Sequence, residues 1–378
     1  MLFDPDRSDS IRAQFPALRE LTFLNSSGMT PIPLACRDVM TRMIDANLEY
    51  AYLKGADWEK SVTQTRQDAA RLVGCAVDEL AFVKNTSVGV SLVASGLRLA
   101  PGDEVIINDL EFPSNVYPWL NLQRKGVVVR IAKSSSGRVT SDAIAAEVTA
   151  KTRVVAISSV QYATGHRTDL AALGQMAKDH GFLLFVDAIQ SLGVLPMDVK
   201  KFGIHFLSAG GFKWLCGPVG SGVFFCDMAK LEDLDIVMAG WNTVRNPILY
   251  HEIDFTPKNN AQRFEEGSGG YVGICGLGES VKLLLDTGID SIESHVVSLT
   301  DYLEQKLRSR GIEIHSPRDD GDKSGVLVFR PAAGESPEAL FKRLEEKMIL
   351  TAPRGGGLRV SPHFFNTTAD LGRLLEAL

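Results

Sequence analysis

A chain of 378 residues, 45% hydrophobic and 23% charged, has an ordinary globular composition, with length for one large and one smaller domain and a core that needs no disulfide or metal staple. A net charge of −6 argues against nucleic acid as the main partner, no stretch approaches the roughly 20 apolar residues of a membrane span, and the seven histidines lack the ligand spacing of a zinc site. Five cysteines without a Cys-x-x-Cys pair read as reduced thiols; with an N-terminus that carries aspartates and no apolar signal segment, they point to the cytoplasm.

In chain order, residues 34–53 and 57–73 read as helices, the second capped by Asp57. Short apolar, β-branched runs then alternate with helical patterns. "ELAFV" precedes a helix from about Ser87, "DEVIIND" one around 115–124, "GVVVRIA" one at 141–148 and "RVVAISSV" one at 169–180, while "FLLFVD" runs into a short turn. Alternation of this kind predicts βα units and a mostly parallel sheet with helices on both faces. "GSGVFFCD" (220–227) is expected to return as one more strand, antiparallel, after the loop "SAGGFKWLCGP".

Beyond about residue 230 the pattern changes. Helices at 276–287 and 290–310, the run "GVLVFR", a helix at 336–347, "GLRVSP" and a terminal helix predict a smaller α+β domain with the N-terminal segment packed on it. The expected division is a large domain over 21–240 and a small one from 1–20 and 241–378. The glycine-rich stretches "GPVGSG" and "GICGLGES" read as turns and close-packing sites, because neither joins a first strand to a first helix with an acidic residue further on.

Three features converge on one chemistry. Asp187 ends a strongly hydrophobic strand, where an open α/β sheet presents its ligand crevice. Lys213 follows 26 residues later, between a Gly-Gly pair and a tryptophan. Thr86 and Ser87 open a helix after a strand, a place where backbone N–H groups and the helix dipole receive an anion, although a plain Ser/Thr cap reads the same way. Pyridoxal phosphate makes these three demands: a lysine amine for a Schiff base, a carboxylate that keeps the pyridine nitrogen protonated, and a helix N-terminus for the phosphate.

From "FLNSSGMTPIP" through "GDEVIINDLEFPSNVYPW", "SSVQYATGHRTDL", "VDAIQSLG" and "GGFKWLCGP" to "FEEGSGG" and "LRVSPHFFNT", the chain resembles the class V aminotransferase-fold enzymes. The resemblance is to their isopenicillin-N-epimerase-like and cysteine desulfurase or selenocysteine lyase-like branch. It implies PLP fold type I (aspartate aminotransferase-like), with a mostly parallel seven-stranded sheet in the large domain and a smaller α+β C-terminal domain. It implies catalytic roles for Lys213 and Asp187, ring stacking by Phe112, a hydrogen bond from Gln190 to the cofactor's phenolic oxygen, and phosphate contacts by Thr86 and Ser87. Ser208 is expected to supply one phosphate contact where this chain departs from the family's lysine loop. Ser268 matches a hydroxyl that reaches the neighbouring subunit's cofactor, so a homodimer with its active site at the interface is implied. Arg359 matches the clamp for the substrate α-carboxylate, a bidentate task suited to guanidinium, with Asn25 beside it. Gln161 and Tyr162 fall near a cofactor contact, or form a polar turn at a strand end.

The resemblance also shows departures. Desulfurases of the family carry a nucleophilic thiol on a loop shortly before the carboxylate-binding arginine; here that stretch is "ILTAPRGGGLRVSP", without cysteine. Cys275, in a glycine-rich segment, is the one thiol expected to have loop freedom, yet it precedes Arg359 by 84 residues. Their ring-stacking histidine is replaced by Phe112, and their Ser-Gly-His-Lys by Gly210-Gly211-Phe212-Lys213. The expectation is a PLP enzyme that deprotonates an amino acid at Cα: an epimerase, a β-eliminating C–S lyase or an aminotransferase, and not a cysteine desulfurase. The alternatives are a non-catalytic binding or sensor protein on the same fold, and the desulfurase or selenocysteine lyase itself.

Overall fold

The computed structural model describes residues 2–378. The chain opens with helix α1 (Pro5–Ala13), a short strand β1 (Thr22–Phe23), and two long helices, α2 (Leu34–Tyr50) and α3 (Gly55–Val73). α2 passes into a 3₁₀ turn at 51–54, and Asp57 sits in the first turn of α3 rather than capping it.

The alternating region follows the predicted order: β2 (Leu80–Val83), α4 (Thr86–Gly96), β3 (Glu104–Asn108), α5 (Tyr117–Leu120), β4 (Val128–Ala132), α6 (Ser141–Ala145), β5 (Thr152–Ser158), α7 (Leu170–His180), β6 (Leu183–Asp187), β7 (Phe206–Gly210) and β8 (Gly222–Cys226). The helix expected over 115–124 is broken into 3₁₀ and α pieces, with Pro113 and Pro118 each opening one of them.

The seven strands form one sheet in the order β2-β8-β7-β6-β5-β3-β4. β8 runs antiparallel to both neighbours, as the returning strand was expected to, and the other pairings are parallel. β3, β6, β7 and β8 are buried almost throughout, which a sheet covered on both faces requires.

The rest of the chain supplies α8 (Tyr271–Thr287), α9 (Ile289–Ser309), β9 (Leu327–Phe329), α10 (Pro337–Glu345), β10 (Ile349–Leu350), β11 (Ala352–Arg354), β12 (Gly357–Val360) and α11 (Thr368–Ala377). β11, β12 and β9 make a small antiparallel sheet, while β10 pairs with β1. One apolar cluster gathers Leu24, Leu299, Leu303, Phe329, Leu344 and Leu374 under this region. The N-terminus is tied to it, since the Phe3 ring stacks on His295 and Arg12 pairs with Asp370.

One expectation fails here. α8 starts at Tyr271, five residues before the predicted 276, so Cys275 lies inside a helix and is buried, without loop freedom. The close packing expected of these glycines is present without the turn: a Cβ at Gly276 would lie 2.8 Å from Met40 Sδ on α2 and 3.1 Å from Cys36 Sγ.

Candidate active site

Asp187 closes β6 in the middle of the sheet, paired in register with Ser158 on one side and Ser208 on the other. Its Oδ1 accepts the Ile189 N–H at 2.9 Å, whereas Oδ2 is buried with no hydrogen-bond partner. Burial pushes its proton affinity up to about 7, opposed by the Ile189 N–H and by Lys213 and reinforced by the Glu111 carboxylate.

Lys213 sits just beyond β7, with its amine 5.5 Å from the Phe112 ring centroid and 5.9 Å from that of Phe212. Burial pulls its proton affinity down to about 8; Asp187 works against that shift, while Arg359 and Arg354 add to it. The loop is held from several sides. Trp214 Nε1–H donates to Gln190 Oε1 at 3.0 Å, Gln190 Nε2 donates to the Ser27 carbonyl at 3.2 Å, and Thr30 N–H donates to the Phe212 carbonyl at 2.9 Å.

Helix α4 begins directly against this loop. Its cap is Asn85, whose side chain accepts the Val88 N–H, so neither Thr86 nor Ser87 is spent on capping. Thr86 Oγ1 accepts the Gly210 N–H at 2.9 Å, and Ser87 Oγ bonds Ser114 Oγ at 2.8 Å. Ser208 is fully buried and bonds the carbonyls of Thr86 and Val223, joining the helix to the sheet. Gly89 has no room for a Cβ above Ser208, which sets how closely α4 lies on β7.

Arg359, on β12, comes from the small sheet to the same place. Its Nη1 donates to the Tyr162 carbonyl at 3.0 Å and its Nη2 to Asn25 Oδ1 at 3.3 Å, while Nε is buried and unpartnered. The Tyr162 ring meets Phe112 edge-on at 5.2 Å. Phe112 is 41% exposed and so is not part of the core. Ser268 is exposed and lies elsewhere, in a groove with Lys84, Met238 and Tyr271.

Glu111 escaped the sequence reading. This buried carboxylate accepts from Asn108, Asn115, Gln161, the Ser158 N–H and the Ser158 hydroxyl, binding the ends of β3 and β5 and the Phe112 segment into one unit. Its signal was faint, a glutamate beside the phenylalanine in "EFPSN". Gln161 is explained by the same network, with its Oε1 left buried and free.

A family model for aminotransferase class V matches residues 23–372. The chain belongs to that family. It is a pyridoxal-phosphate-dependent enzyme, as the family is. A protein of Methanothermobacter thermautotrophicus named probable cysteine desulfurase is 31% identical over 98% of this chain and 97% of its own length. A Bacillus subtilis protein named uncharacterized aminotransferase YcbU is 25% identical over 98% of this chain and 97% of its own. Among solved structures, the cysteine desulfurase CsdA of Escherichia coli superposes with a TM-score of 0.88 at 25% identity, covering 100% of this chain and 98% of that one. The cystine C–S lyase C-DES gives a TM-score of 0.90 at 21% identity, covering 96% and 98%, a likeness of fold.

The thiols of this class V chain are poorly placed for nucleophilic chemistry. Cys36, Cys216, Cys226 and Cys275 are buried, and Cys75 is half-buried. Burial pushes Cys36 and Cys275 up to about 11 and Cys75 up to about 12, and raises Cys216 and Cys226 as well, so none is a thiolate near neutrality. The segment before Arg359 is a tight hairpin, with Arg354 paired to Gly357 across Gly355 and Gly356, both at positive φ.

Proposed function

We propose that the chain acts on an α-amino acid at Lys213 and breaks a Cβ–S bond without a thiol of its own. The observation that carries this reading is a pair of buried, unpartnered atoms, Asp187 Oδ2 and Arg359 Nε, each on a charged group that acts on Lys213. A buried polar atom left unpaired costs about 1–3 kcal/mol, a cost that a ligand bound between these two atoms would remove. Asp187 Oδ2 fits the protonated nitrogen of pyridoxal phosphate, which argues that the residues present suit that cofactor. In this reading Thr86 and Ser87 serve the phosphate end at the start of α4, Ser208 supports that end by joining the helix to the sheet, Phe112 covers the ring, and Gln190 keeps an N–H for the phenolic oxygen.

Arg359, steadied by Tyr162 and Asn25, holds the substrate α-carboxylate through its free Nε edge. Pyridoxal phosphate supplies the sink for the electron pair left at Cα. Lys213, with its lowered proton affinity, would take the Cα proton on Nζ and pass it near neutral pH to the sulfur as the Cβ–S bond breaks. The sulfur then leaves as a thiol, and water converts the remaining fragment to keto acid and ammonia. Phe112 carries no proton and leaves proton transfer to the lysine. The sulfur-bearing substrate is suggested by relatives named cysteine desulfurase.

Those names also favour a second reading, a desulfurase in the strict sense. The buried, protonated thiols and the closed hairpin weigh against it. We further assign 21–240 to a large domain and 1–20 with 241–378 to a small one, a division supported by the ties of Phe3 and Arg12 to His295 and Asp370. Ser268 is assigned to the cofactor of a second subunit.

The test is a screen of α-amino acids, including S-substituted cysteines and their sulfoxides, that follows keto acid, ammonia and optical rotation together. Keto acid with ammonia is the expected result. Loss of rotation alone would make the protein an epimerase, and amino transfer to an added keto acid an aminotransferase. Alanine with a protein-bound persulfide from free cysteine would establish the desulfurase instead.

A further inference from the structure

The hairpin that replaces a mobile loop before Arg359 also positions a second arginine. Ala352 lies opposite Arg359 in the β11–β12 register, and Arg354 follows two residues on. Side chains two apart on a strand share a face, so Arg354 and Arg359 are diagonal neighbours on one side of the sheet, at about 7–8 Å between backbone positions. Their common face is the one from which Arg359 reaches Tyr162 and Asn25.

The hairpin tip packs against the chain that carries Tyr162. Gly355 packs so closely on the Ala163 carbonyl that it has no room for a Cβ, and its φ of +62° disfavours any other residue. The tip is thereby locked onto the turn that carries Tyr162, which in turn touches Phe112. Arg354 projects from this fixed platform. It is exposed, its one hydrogen bond goes to the neighbouring Pro353 carbonyl, and among the described residues no carboxylate pairs with it. Its charge is nevertheless felt at both Lys213 and Arg359.

Exposed arginines without a carboxylate, such as Arg124 and Arg245, are solvated elsewhere on this chain; Arg354 differs in sharing a strand face with a second guanidinium. Here two guanidiniums share a face beside a lysine, with one carboxylate, Asp187, acting on that lysine. The α-carboxylate of the substrate answers Arg359 and leaves Arg354 uncompensated. We infer that Arg354 selects substrates carrying a second carboxylate, borne on the side chain beyond the bond that is broken. The inference rests on the reading of Arg359 as the α-carboxylate clamp. It narrows the substrate class to dicarboxylic, S-linked amino acids.

The test compares S-(2-carboxyethyl)cysteine with its isosteric amide, S-(2-carbamoylethyl)cysteine, in the loaded enzyme. Binding of both is also measured by calorimetry on a Lys213→Ala variant that cannot turn over. The acid is expected to be favoured by about tenfold or more in kcat/KM and in Kd, the scale of one well-placed charge-assisted contact. Arg354→Gln should collapse that ratio towards one, and Arg354→Lys should restore part of it, since a point charge remains without the fork. Arg359→Gln should weaken acid and amide alike.

No preference for the acid in the parent enzyme, or a preference that survives Arg354→Gln, overturns the inference and leaves the α-carboxylate reading intact. An Arg359→Gln variant that binds both compounds normally refutes that reading, and the inference falls with it.

Discussion

Burial strips charge from both members of the central pair, drawing the proton affinity of Lys213 down and that of Asp187 up. The sign for cofactor loading follows, because the amine must be neutral to attack an aldehyde. With an affinity near 8, about a tenth of Lys213 is neutral at pH 7, against less than about one part in a thousand for an ordinary lysine. Reconstitution of the cofactor-free protein should therefore speed up about tenfold between pH 6 and 7, bend near pH 8 and level off above it. Stopped-flow absorbance on mixing with pyridoxal phosphate measures this, and a rate that still climbs to pH 10 would show an unperturbed lysine. Lys213 and Asp187 could be singled out from the sequence itself, on a glycine-flanked loop and at the end of an apolar strand, whereas Arg359 was offered only by the family resemblance. Glu111 was legible in neither way, because a buried carboxylate is recognised by the donors around it, and its donors come from separate stretches of chain.

The βα alternation could be read because buried parallel strands are continuous apolar runs, "VIIN" and "LLFVD" among them. Glycine was the harder letter. In "GICGLG" it reads as turns and close packing; the turn is absent and the close packing is what the protein uses, bringing α8 against α2 and α3. In "PRGGGLR" it closes a two-residue turn that positive φ at Gly355 and Gly356 makes possible. Replacing Gly355 with alanine should cost about 1–3 kcal/mol of stability, through backbone strain and collision with the Ala163 carbonyl. It should also weaken amino acid binding, because Arg359 leans on the adjacent Tyr162 carbonyl. Thermal unfolding and substrate titration of this variant check both effects, and an unchanged midpoint would mean the hairpin is not locked.

At the scale of the whole molecule, the apolar surface is unevenly spent. Ile44, Leu48, Tyr52 and Leu53 are exposed on and after α2, and Ile248, Tyr250, Ile253 and Phe255 along the 238–255 segment, with Leu48 at 83% and Ile253 fully open. A soluble monomer rarely leaves this much large apolar side chain uncovered in two short stretches, which supports a homodimer built on them. Sedimentation of the loaded enzyme should give a dimer, and Leu48→Asp with Ile253→Asp should shift it towards monomer with weaker cofactor retention. A fully active monomer would remove Ser268 from any shared site. No helix of the described chain is long and apolar enough to cross a membrane.

All of these readings meet at the ε-amino group of Lys213, and borohydride reduction followed by peptide mapping tests it most directly. The reduced protein should carry a single pyridoxyl label on the peptide containing "GGFKWLCGP", at Lys213, and lose its visible absorbance as the label forms. A label on Lys133 or Lys230, or no label on a protein incubated with pyridoxal phosphate, would contradict the account.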